Sequence, residues 1–347
     1  MTRHPRDLIV VGASAGGVEA LREFVAGLPA DLDAGVLVVL HLPVGATSAL
    51  PAILSRSGPL PARIATDGAP VEHGTILVAP PNHHLLVVDG RVALSHGPTE
   101  NGRRPAIDAL FRSAAIVAGP RVTGVLLSGV LDDGVAGLIS IVGRGGMVVV
   151  QDPDEALHSD MPRRAMAAVE VDHVLPAGAM GAILDKLSRE EVELNGFPEP
   201  SRLLRLENAI ATTDSSARFG HDPAELGHMS GFTCPDCDGA LVELTTGSRY
   251  RCRVGHAWTA EALLGAQGFA WERALWAAIR TLDEKVALTR RMAEQARQRG
   301  STGLASRYDL QAQEALEAAA LLRAPLDFAD RRAPGEMRSD VDQSAPG

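Results

Sequence analysis

The first residues that could carry chemistry lie in the stretch Gly12-Ala13-Ser14-Ala15-Gly16, which fits the pattern G-x-S-x-G. A run of branched apolar residues precedes the stretch and a helical pattern follows it, which predicts a sharp strand-to-helix turn around Ser14. Such a turn can expose a serine hydroxyl for attack on a carbonyl, or it can present backbone amides to a phosphate. The two functions make different demands on the rest of the sequence.

The glycine spacing disfavours a phosphate-binding loop. A dinucleotide fingerprint requires G-x-G-x-x-G and an acidic residue at the end of the next strand. Gly12, Gly16 and Gly17 are spaced differently, and the next strand ends in His41. The sequence also has no G-K-[ST] pattern for a nucleoside triphosphate.

The ends of other predicted strands favour a nucleophilic serine. His41 follows the apolar run VLVVL, and Asp132 and Asp133 come shortly after the run GVLLSG. The carboxyl ends of parallel strands gather at one edge of an open sheet, so these side chains are expected to lie near Ser14. A histidine that accepts the serine proton, together with an acid that orients the histidine, makes a catalytic triad. The chain order Ser, His, Asp disfavours an ordinary α/β-hydrolase, in which the acid precedes the histidine.

The elements that must position these residues form an α/β pattern. Up to about Leu187, continuous apolar strands alternate with amphipathic helices, which predicts a doubly wound, mostly parallel sheet covered on both faces. Asp89-Gly90 lies between two strand-like runs and predicts an antiparallel hairpin inserted in that sheet. Two long helical patterns, separated by the sequence RGSTG, predict a helical hairpin near the C-terminus.

A cluster of cysteines marks a second site. All three cysteines and one histidine have the spacing C-x2-C-x14-C-x3-H, formed by Cys234, Cys237, Cys252 and His256. Two short ligand pairs separated by strand-like sequence are typical of a zinc ribbon, in which a closed tetrahedral site holds a structural Zn²⁺. We therefore expect zinc in this unit and no cofactor for catalysis.

These patterns divide the chain into five predicted segments. They are an α/β domain at 1–190, a linker with a short helix at 191–230, a zinc-ribbon-like unit at 231–265, a helical hairpin at 266–330, and a disordered tail at 331–347.

Composition restricts the partners. The chain has 347 residues and a formal net charge of −10, which disfavours a general nucleic-acid-binding protein. Its N-terminus lacks the pattern of a signal peptide, and its longest apolar runs are far shorter than the ~18 residues of a membrane span. We expect a cytoplasmic protein without membrane insertion.

Several motifs together resemble one family. The similarity runs from about Asp7 to Leu187 and resembles the catalytic domain of the CheB chemotaxis protein-glutamate methylesterases. It rests on the segments VGASAGGVEAL, HLPVGATSAL, HGPTENGRRPAIDALFRSAA, VLLSGVLDDGVAGL and HSDMPRRAM. The resemblance implies hydrolysis of glutamate γ-methyl esters on chemoreceptors, and in many members deamidation of receptor glutamines as well. Some members without a receiver domain carry a similar FTCP…RCRVGH segment, and this chain begins its first catalytic strand near Leu8, as expected of that form.

The resemblance implies roles for individual residues. It assigns the triad to Ser14, His41 and Asp133, because the family's acid occupies the second position of the DDG pair. Asp132 is then expected to be solvated or to form a turn. The candidate oxyanion donors are the backbone amides of three residues, Ala15, Gly16 and Val130.

The family also suggests where a substrate would lie. It places a loop at the substrate edge, and this loop corresponds here to Asn101, Arg103 and Arg104. A basic rim would suit an acidic receptor helix. The chain departs from the common family pattern at Ala15, where a threonine is frequent, and at Gly129-Val130-Leu131, where GMG is common.

Two functions follow from these observations. The first is a serine methylesterase that acts on a methylated chemoreceptor or a similar acidic helical signalling protein. The second is a catalytically weak signalling adaptor that binds chemotaxis signalling proteins through its zinc ribbon and helices. A complete set of Ser14, His41 and Asp133 favours the enzyme.

Overall fold

The computed structural model describes residues 3–41, 49–194, 196–212, 227–245 and 248–330. Two compact units divide the chain, Met1–Leu263 and Leu264–Gly347. The first unit contains an α/β domain and the cysteine-containing segment, so the catalytic candidates and the candidate metal ligands belong to one compact body.

The α/β domain contains eleven of the described strands and seven of the described helices. The strands are β1 Arg3–Pro5, β2 Leu8–Ala13, β3 Gly35–Leu40, β4 Ala62–Ile64, β5 Ile76–Val78, β6 His84–Val88, β7 Arg91–Ser95, β8 Val122–Leu126, β9 Met147–Gln151, β10 His173–Leu175 and β11 Glu191–Glu193. The helices are α1 Gly17–Ala26, α2 Leu50–Ser57, α3 Ile107–Ala118, α4 Val135–Gly143, α5 Asp160–Ala168, α6 Met180–Ser188 and α7 Arg202–Thr212.

Seven strands form one parallel sheet in the order β10-β9-β8-β2-β3-β5-β4. Its central strands are apolar throughout because both faces are covered. Along β2, Ile9 and Val11 pack in one core, while Leu8 and Val10 pack in the core on the other face. The predicted doubly wound, mostly parallel sheet is confirmed.

The strand order reverses at β2, which places a crevice at the carboxyl ends of the central strands. From β2 the chain crosses first to β3 on one side, and β8 later pairs on the other side. Ligands of open α/β sheets bind in such a crevice. Ser14, His41 and the Asp132–Asp133 pair all follow strands that end there.

The predicted antiparallel hairpin is also present. Strands β6 and β7 pair in an isolated two-stranded sheet, and Asp89 and Gly90 connect them with φ values of 49° and 72°. Positive φ at both residues matches the right-handed twist of the two strands.

The range 191–230, expected to be a linker, contains regular structure that packs on the α/β domain. Strand β11 pairs antiparallel with β1, and α7 buries Ile210 and Ala211. The amphipathic sequence RLLRLENAIA gives α7 this apolar face. Residues 213–226 lie outside the described residues.

The cysteine-containing segment forms a four-stranded antiparallel sheet, called the ribbon below (residues 228–259). Its strands are β12 His228–Thr233, β13 Ala240–Thr245, β14 Arg249–Cys252 and β15 Ala257–Thr259, paired in chain order. The candidate metal ligands lie in and beside its first and third strands.

The second unit contains most of a helical hairpin. Helix α8 spans Ala260–Gln298 and begins directly after the ribbon, and helix α9 spans Thr302–Asp330. Ion pairs Arg297–Asp309 and Arg323–Asp283 join the two helices in antiparallel order. The helices of the described ranges include none long and apolar enough to cross a membrane. The predicted disordered tail, 331–347, lies outside the described residues.

Candidate active site and candidate metal centre

Ser14, His41 and Asp133 form a hydrogen-bonded series at the crevice of the sheet. Ser14 Oγ lies 3.0 Å from His41 Nδ1, and His41 Nε2 lies 2.7 Å from Asp133 Oδ2. The His41 and Asp133 side chains are 7% and 4% exposed, while Ser14 is half-buried. The structure therefore brings together the three residues that the sequence predicted.

The turn that carries Ser14 is fixed from the neighbouring strand. Ser14 N donates to Ser128 O at 2.9 Å, and Ser128 Oγ donates to Ala15 O at 2.8 Å. Gly16 has a φ of 68°, and a Cβ there would lie 2.7 Å from Ser128 Oγ. A glycine at position 16 thus meets both the backbone and the packing requirements of the turn.

Asp133 receives donors from four groups. Besides His41, the amides of Ile107 and Asp108 donate to Oδ2 and Oδ1 at 2.8 and 3.2 Å, and Asn101 Nδ2 lies 3.4 Å from Oδ1. The two amides open α3, whose N-terminus favours a negative charge. Burial alone would raise the pKa of Asp133, but hydrogen bonds from His41 and from these amides hold it below its ordinary value.

Asp132 forms a turn in which Val135 N donates to its carbonyl at 3.1 Å, and its half-buried side chain is held by the ribbon. Thr259 Oγ1 donates to Asp132 Oδ1 at 2.8 Å. Burial raises the pKa of Asp132, and the hydrogen bond from Thr259 opposes that rise. Asp132 and Asp133 therefore point to different partners although they are adjacent in sequence.

The candidate oxyanion donors lie around Ser14. Val130 lines the same small cavity as Ser14 and His41. The amides of Ala15 and Gly16 directly follow Ser14 and precede α1, and within the described ranges neither donates to a backbone carbonyl. Amides at the start of a helix suit a developing negative charge.

The three predicted rim residues have different surroundings. Asn101 and Arg103 line the cavity with Ser14. Arg104 is directed to neighbouring loops, where its guanidinium donates to Asn82 Oδ1 and to the carbonyls of His96 and Gly97. Arg103 is the exposed cation of this edge.

Sequence reasoning missed residues that support the site from a distance. Ser128 holds the nucleophile turn, and Thr259 reaches Asp132 from 127 positions away. Asn101 was predicted only at the substrate edge, and its contact with Asp133 was not foreseen. The only signal in the sequence was the position of Ser128 in LLSG, at the end of a buried strand. Nothing local marked Thr259.

The four predicted metal ligands meet at one point of the ribbon. Single ligand atoms of Cys234, Cys237, Cys252 and His256 all lie within 4.8 Å of one another, close enough to hold a metal ion. The Sγ atoms of Cys237 and Cys252 are 3.6 Å apart, and His256 Nδ1 is 3.6 and 3.5 Å from the Sγ atoms of Cys234 and Cys252. The three thiols are free of disulfides.

Two tight turns present these ligands. Cys234 N donates to Gly239 O, and Asp238 adopts a φ of 57° in the first turn. Cys252 N donates to His256 O, and Gly255 adopts a φ of 105° in the second. Together the two turns bring the four side chains to one point.

A buried cluster of six charged side chains joins the ribbon to the α/β domain. Arg249 contacts Glu100, Asp108 and Glu207 at 3.1, 3.1 and 2.7 Å. Arg251 contacts Glu100 and Glu207 at 3.3 and 3.1 Å, and Arg112 contacts Glu100 at 2.5 Å. Three guanidinium groups thus face three carboxyl groups.

The carboxyl groups of this charged cluster respond differently to burial. Burial and then the nearby Asp133 raise the pKa of Asp108 to about 7, against the effect of Arg249. Burial also acts to raise the pKa of Glu207, but Arg249, Arg251 and Arg112 lower it to about 2. Asp108 also accepts hydrogen bonds from the amides of Gly134 and Gly137, just after Asp133.

Known proteins are similar to this chain in sequence and in structure. The chain is 39% identical over 188 residues to a protein-glutamate methylesterase/protein-glutamine glutaminase of Symbiobacterium thermophilum, a match that covers 54% of this chain and 51% of that protein. It is 38% identical over 200 residues to a protein of the same description, number 2, from Methanosarcina acetivorans, covering 55% and 54%. The chain therefore spans about half the length of the curated relatives that it matches.

A solved structure and the sequence model of a family also match this chain. The Thermotoga maritima CheB methylesterase catalytic domain matches with a TM-score of 0.50 and 30% identity, over 52% of this chain and 98% of that chain. The sequence model of the family described as CheB methylesterase matches residues 9–184. This range contains Ser14, His41 and Asp133, and the chain belongs to the CheB methylesterase family.

Proposed function

We propose that this chain is a cytoplasmic serine hydrolase that removes methyl esters from glutamate side chains of chemoreceptors. Its proposed catalytic triad is Ser14, His41 and Asp133. The observation that carries the proposal is the series of hydrogen bonds from the half-buried Ser14 hydroxyl through His41 to Asp133. The similarity to protein-glutamate methylesterases supports glutamate methyl esters as the substrate.

His41 would act as the general base through Nδ1. With its proton on Nε2, His41 donates to Asp133, and its free Nδ1 accepts the Ser14 proton as Oγ attacks the ester carbonyl. The tetrahedral intermediate collapses, the bond to the methoxy oxygen breaks, and His41 gives the proton to that oxygen, which leaves as methanol. Water then attacks the acyl-enzyme with the same proton transfer and releases the glutamate side chain and Ser14.

The oxyanion of the tetrahedral intermediate would be stabilised by backbone amides. We assign this role to Ala15 and Gly16 at the start of α1 and to Val130 across the cavity. Such donors contribute several kcal/mol when they are fixed before the reaction, with one donor worth about 3–4 kcal/mol. The hydrogen bonds of Ser128 to Ser14 and Ala15 hold this turn in place.

The same geometry would accept a glutamine side chain. Attack of Ser14 Oγ on the amide carbonyl gives the same acyl-enzyme, and His41 protonates the departing amide nitrogen, which leaves as ammonia. We therefore include deamidation of receptor glutamines in the proposal. Arg103, exposed beside the cavity, would favour an acidic receptor helix.

We assign a structural Zn²⁺ to Cys234, Cys237, Cys252 and His256. Three thiolates and one imidazole match the preference of zinc, and sulfur atoms at the corners of a zinc tetrahedron lie about 3.8 Å apart. The Cys237–Cys252 separation of 3.6 Å is close to this value. Four protein ligands leave no position for substrate, so the ion would stabilise the fold and take no part in catalysis.

We propose the helical hairpin as the surface for chemotaxis signalling proteins. Its described residues include the exposed apolar side chains Phe269, Trp271 and Trp276 on the first half of α8. Exposed aromatic residues on one helix are a feature of protein-binding surfaces. The net charge of −10 favours protein partners over nucleic acid.

Methanol release from methylated chemoreceptor tests the proposal. The wild-type chain should release methanol, and Ser14→Ala should lower the rate by about 10³-fold or more. Ser140→Ala is a matched control, because among the described residues this hydroxyl bonds only to Ala136 O of its own helix. No release by the wild type would reject methyl ester hydrolysis on the receptor, and retained binding to the receptor would then favour the adaptor. Equal rates for the wild type and Ser14→Ala would reject the nucleophile.

A further inference from the structure

The last strand of the ribbon lies against the loop that precedes α3. Asn101 N donates to Ala257 O at 2.8 Å, and Ala257 N donates to Thr99 O at 3.1 Å. Glu100 and Ala257 form a parallel bridge. Strand β15 therefore extends along residues 99–101, at the edge of the Ser14 cavity.

Thr259, at the end of β15, contacts both groups that flank the carboxylate of Asp133. Its hydroxyl donates to Asp132 Oδ1 at 2.8 Å, and its backbone amide donates to Asn101 Oδ1 at 2.9 Å. Asn101 in turn directs Nδ2 to Asp133 Oδ1 at 3.4 Å. Thr259 thus contacts both Asp132, the chain neighbour of Asp133, and Asn101, its side-chain partner.

The loop that contains Asp133 needs such support. Residues 129–134, called the acid loop below, lie between β8 and α4 without regular structure. Leu131 adopts a φ of 63° in this loop, a conformation that is uncommon for a residue with a branched side chain. Backbone strain of this kind persists only where surrounding contacts fix it.

The charged cluster anchors the ribbon at the other side of the acid loop. Arg249 pairs with Asp108 at 3.1 Å, and Asp108 Oδ1 accepts from Gly134 N at 3.0 Å and from Gly137 N at 2.7 Å. The ribbon therefore contacts the acid loop on both sides of Asp133. Thr259 bonds Asp132, just before it, and Arg249 reaches Gly134, just after it, by way of Asp108.

We infer that Thr259 is a positioning residue for the catalytic acid, and that the ribbon therefore contributes to the geometry of the active site. This inference rests on the proposed function. Thr259 would act through Asp132 and Asn101, holding Asp133 where it orients His41. Small displacements of a catalytic group reduce turnover far more than they reduce substrate binding.

Thr259 also caps helix α8, which would be a purely structural role. Its Oγ1 accepts from Ala262 N at 3.1 Å. A double-mutant cycle between Thr259 and Asp132 separates the two roles, because loss of the cap does not depend on the side chain at position 132.

The experiment measures methanol release by purified full-length variants. Thr259→Val should lower kcat about tenfold, equivalent to about 1.4 kcal/mol of barrier, with KM changed by less than about twofold. Thr259→Ser, which keeps the hydroxyl, should have the kcat of the wild type. Asp132→Ala should match Thr259→Val, and the double variant should be no worse than either single variant. Thr245→Val, an exposed ribbon threonine, should behave as wild type.

A second readout is the rate at which a fluorophosphonate labels Ser14, which needs no receptor. If the wild type is labelled but releases no methanol, the proposed substrate is wrong and the labelling rates of the same variants decide the role of Thr259. If the wild type is neither labelled nor active, both proposals fail. Wild-type kcat in Thr259→Val, additive losses in the cycle, or failure of Thr259→Ser to restore kcat would each overturn the inference.

Discussion

His41 faces Ser14 through Nδ1, at 3.0 Å, and uses Nε2 for Asp133. In the Ser-His-Asp arrangement of chymotrypsin-type proteases the two ring nitrogens have the opposite partners. The chemistry requires only that one nitrogen accepts from serine while the other donates to the acid. In this chain the carboxylate therefore fixes the tautomer that carries its proton on Nε2.

Replacing Asp133 by asparagine should disturb this tautomer. An asparagine amide can donate to Nε2, which would place the ring proton on Nδ1 and block its use as a base for Ser14. We expect kcat for methyl ester hydrolysis to fall by about 10³–10⁴-fold in Asp133→Asn. Asp185→Asn, which changes a surface carboxylate paired with Arg189, is a charge-matched control. A loss smaller than tenfold would show that Asp133 does not set the tautomer.

A methyl group at Gly129 should displace the nucleophile. A Cβ at this position would lie 2.0 Å from Met161 Sδ and 2.9 Å from Ser14 Cβ. Overpacking of this kind costs about 1–3 kcal/mol of stability, and here the strain adjoins the reacting hydroxyl. We expect Gly129→Ala to lower kcat at least tenfold and to lower the melting temperature.

Gly143→Ala is the control for this substitution. Gly143 lies in α4 with open space around the added Cβ, so alanine should preserve activity and stabilise the helix by up to about 1 kcal/mol. Unchanged kcat in Gly129→Ala would mean that the acid loop and Met161 move away without affecting Ser14.

The part of the site that lies at strand ends could be predicted from the sequence. Ser14 and His41 each follow a continuous apolar strand, and parallel strands end at one edge, so their proximity could be predicted from local pattern. From the residues alone, either Asp132 or Asp133 could be the catalytic acid. The structure distinguishes them by the amides of Ile107 and Asp108, which belong to a helix about 25 positions away.

Long-range polar contacts were beyond the sequence. The pairing of Arg249 with Asp108 spans 141 positions and that of Thr259 with Asn101 spans 158, and neither residue type is unusual in its local context. The proximity of the four Cys and His ligands, in contrast, followed from spacing alone, because two tight turns determine it. The identity of the metal and the catalytic roles stay predictions.

Removal of the metal should loosen the ribbon and weaken activity. A unit of this size buries little core, so its folding free energy depends on the ion. Treatment with a chelator should increase hydrogen exchange in β13 and β14 while β2 and β3 stay protected, and kcat should fall because Thr259 loses its fixed position. Added Zn²⁺ should restore both. Retained protection of β14 in protein with a metal content near zero would contradict the zinc assignment.

Acid should weaken the attachment of the ribbon through Glu207. This carboxylate faces Arg112, Arg249, Arg251 and Glu100, and the arginines lower its pKa from 4.5 to about 2. A depressed carboxyl pKa contributes stability that is fully present above the unfolded pKa and is lost as the pH falls through the folded pKa. The contribution is about 3 kcal/mol above pH 4.5, because a tenfold change in the proton affinity is worth about 1.4 kcal/mol.

Comparison with Glu207→Gln isolates this contribution. The difference in free energy of unfolding between wild type and variant should be about 3 kcal/mol from pH 5 to 7 and should shrink as the pH falls from 4.5 toward 2. Asp108, whose pKa of about 7 is raised, titrates in both proteins and affects mainly the range above pH 3.8. Loss of metal in acid is likewise common to both. Urea unfolding at each pH measures the difference, and a difference that does not change with pH would exclude Glu207 as the titrating group.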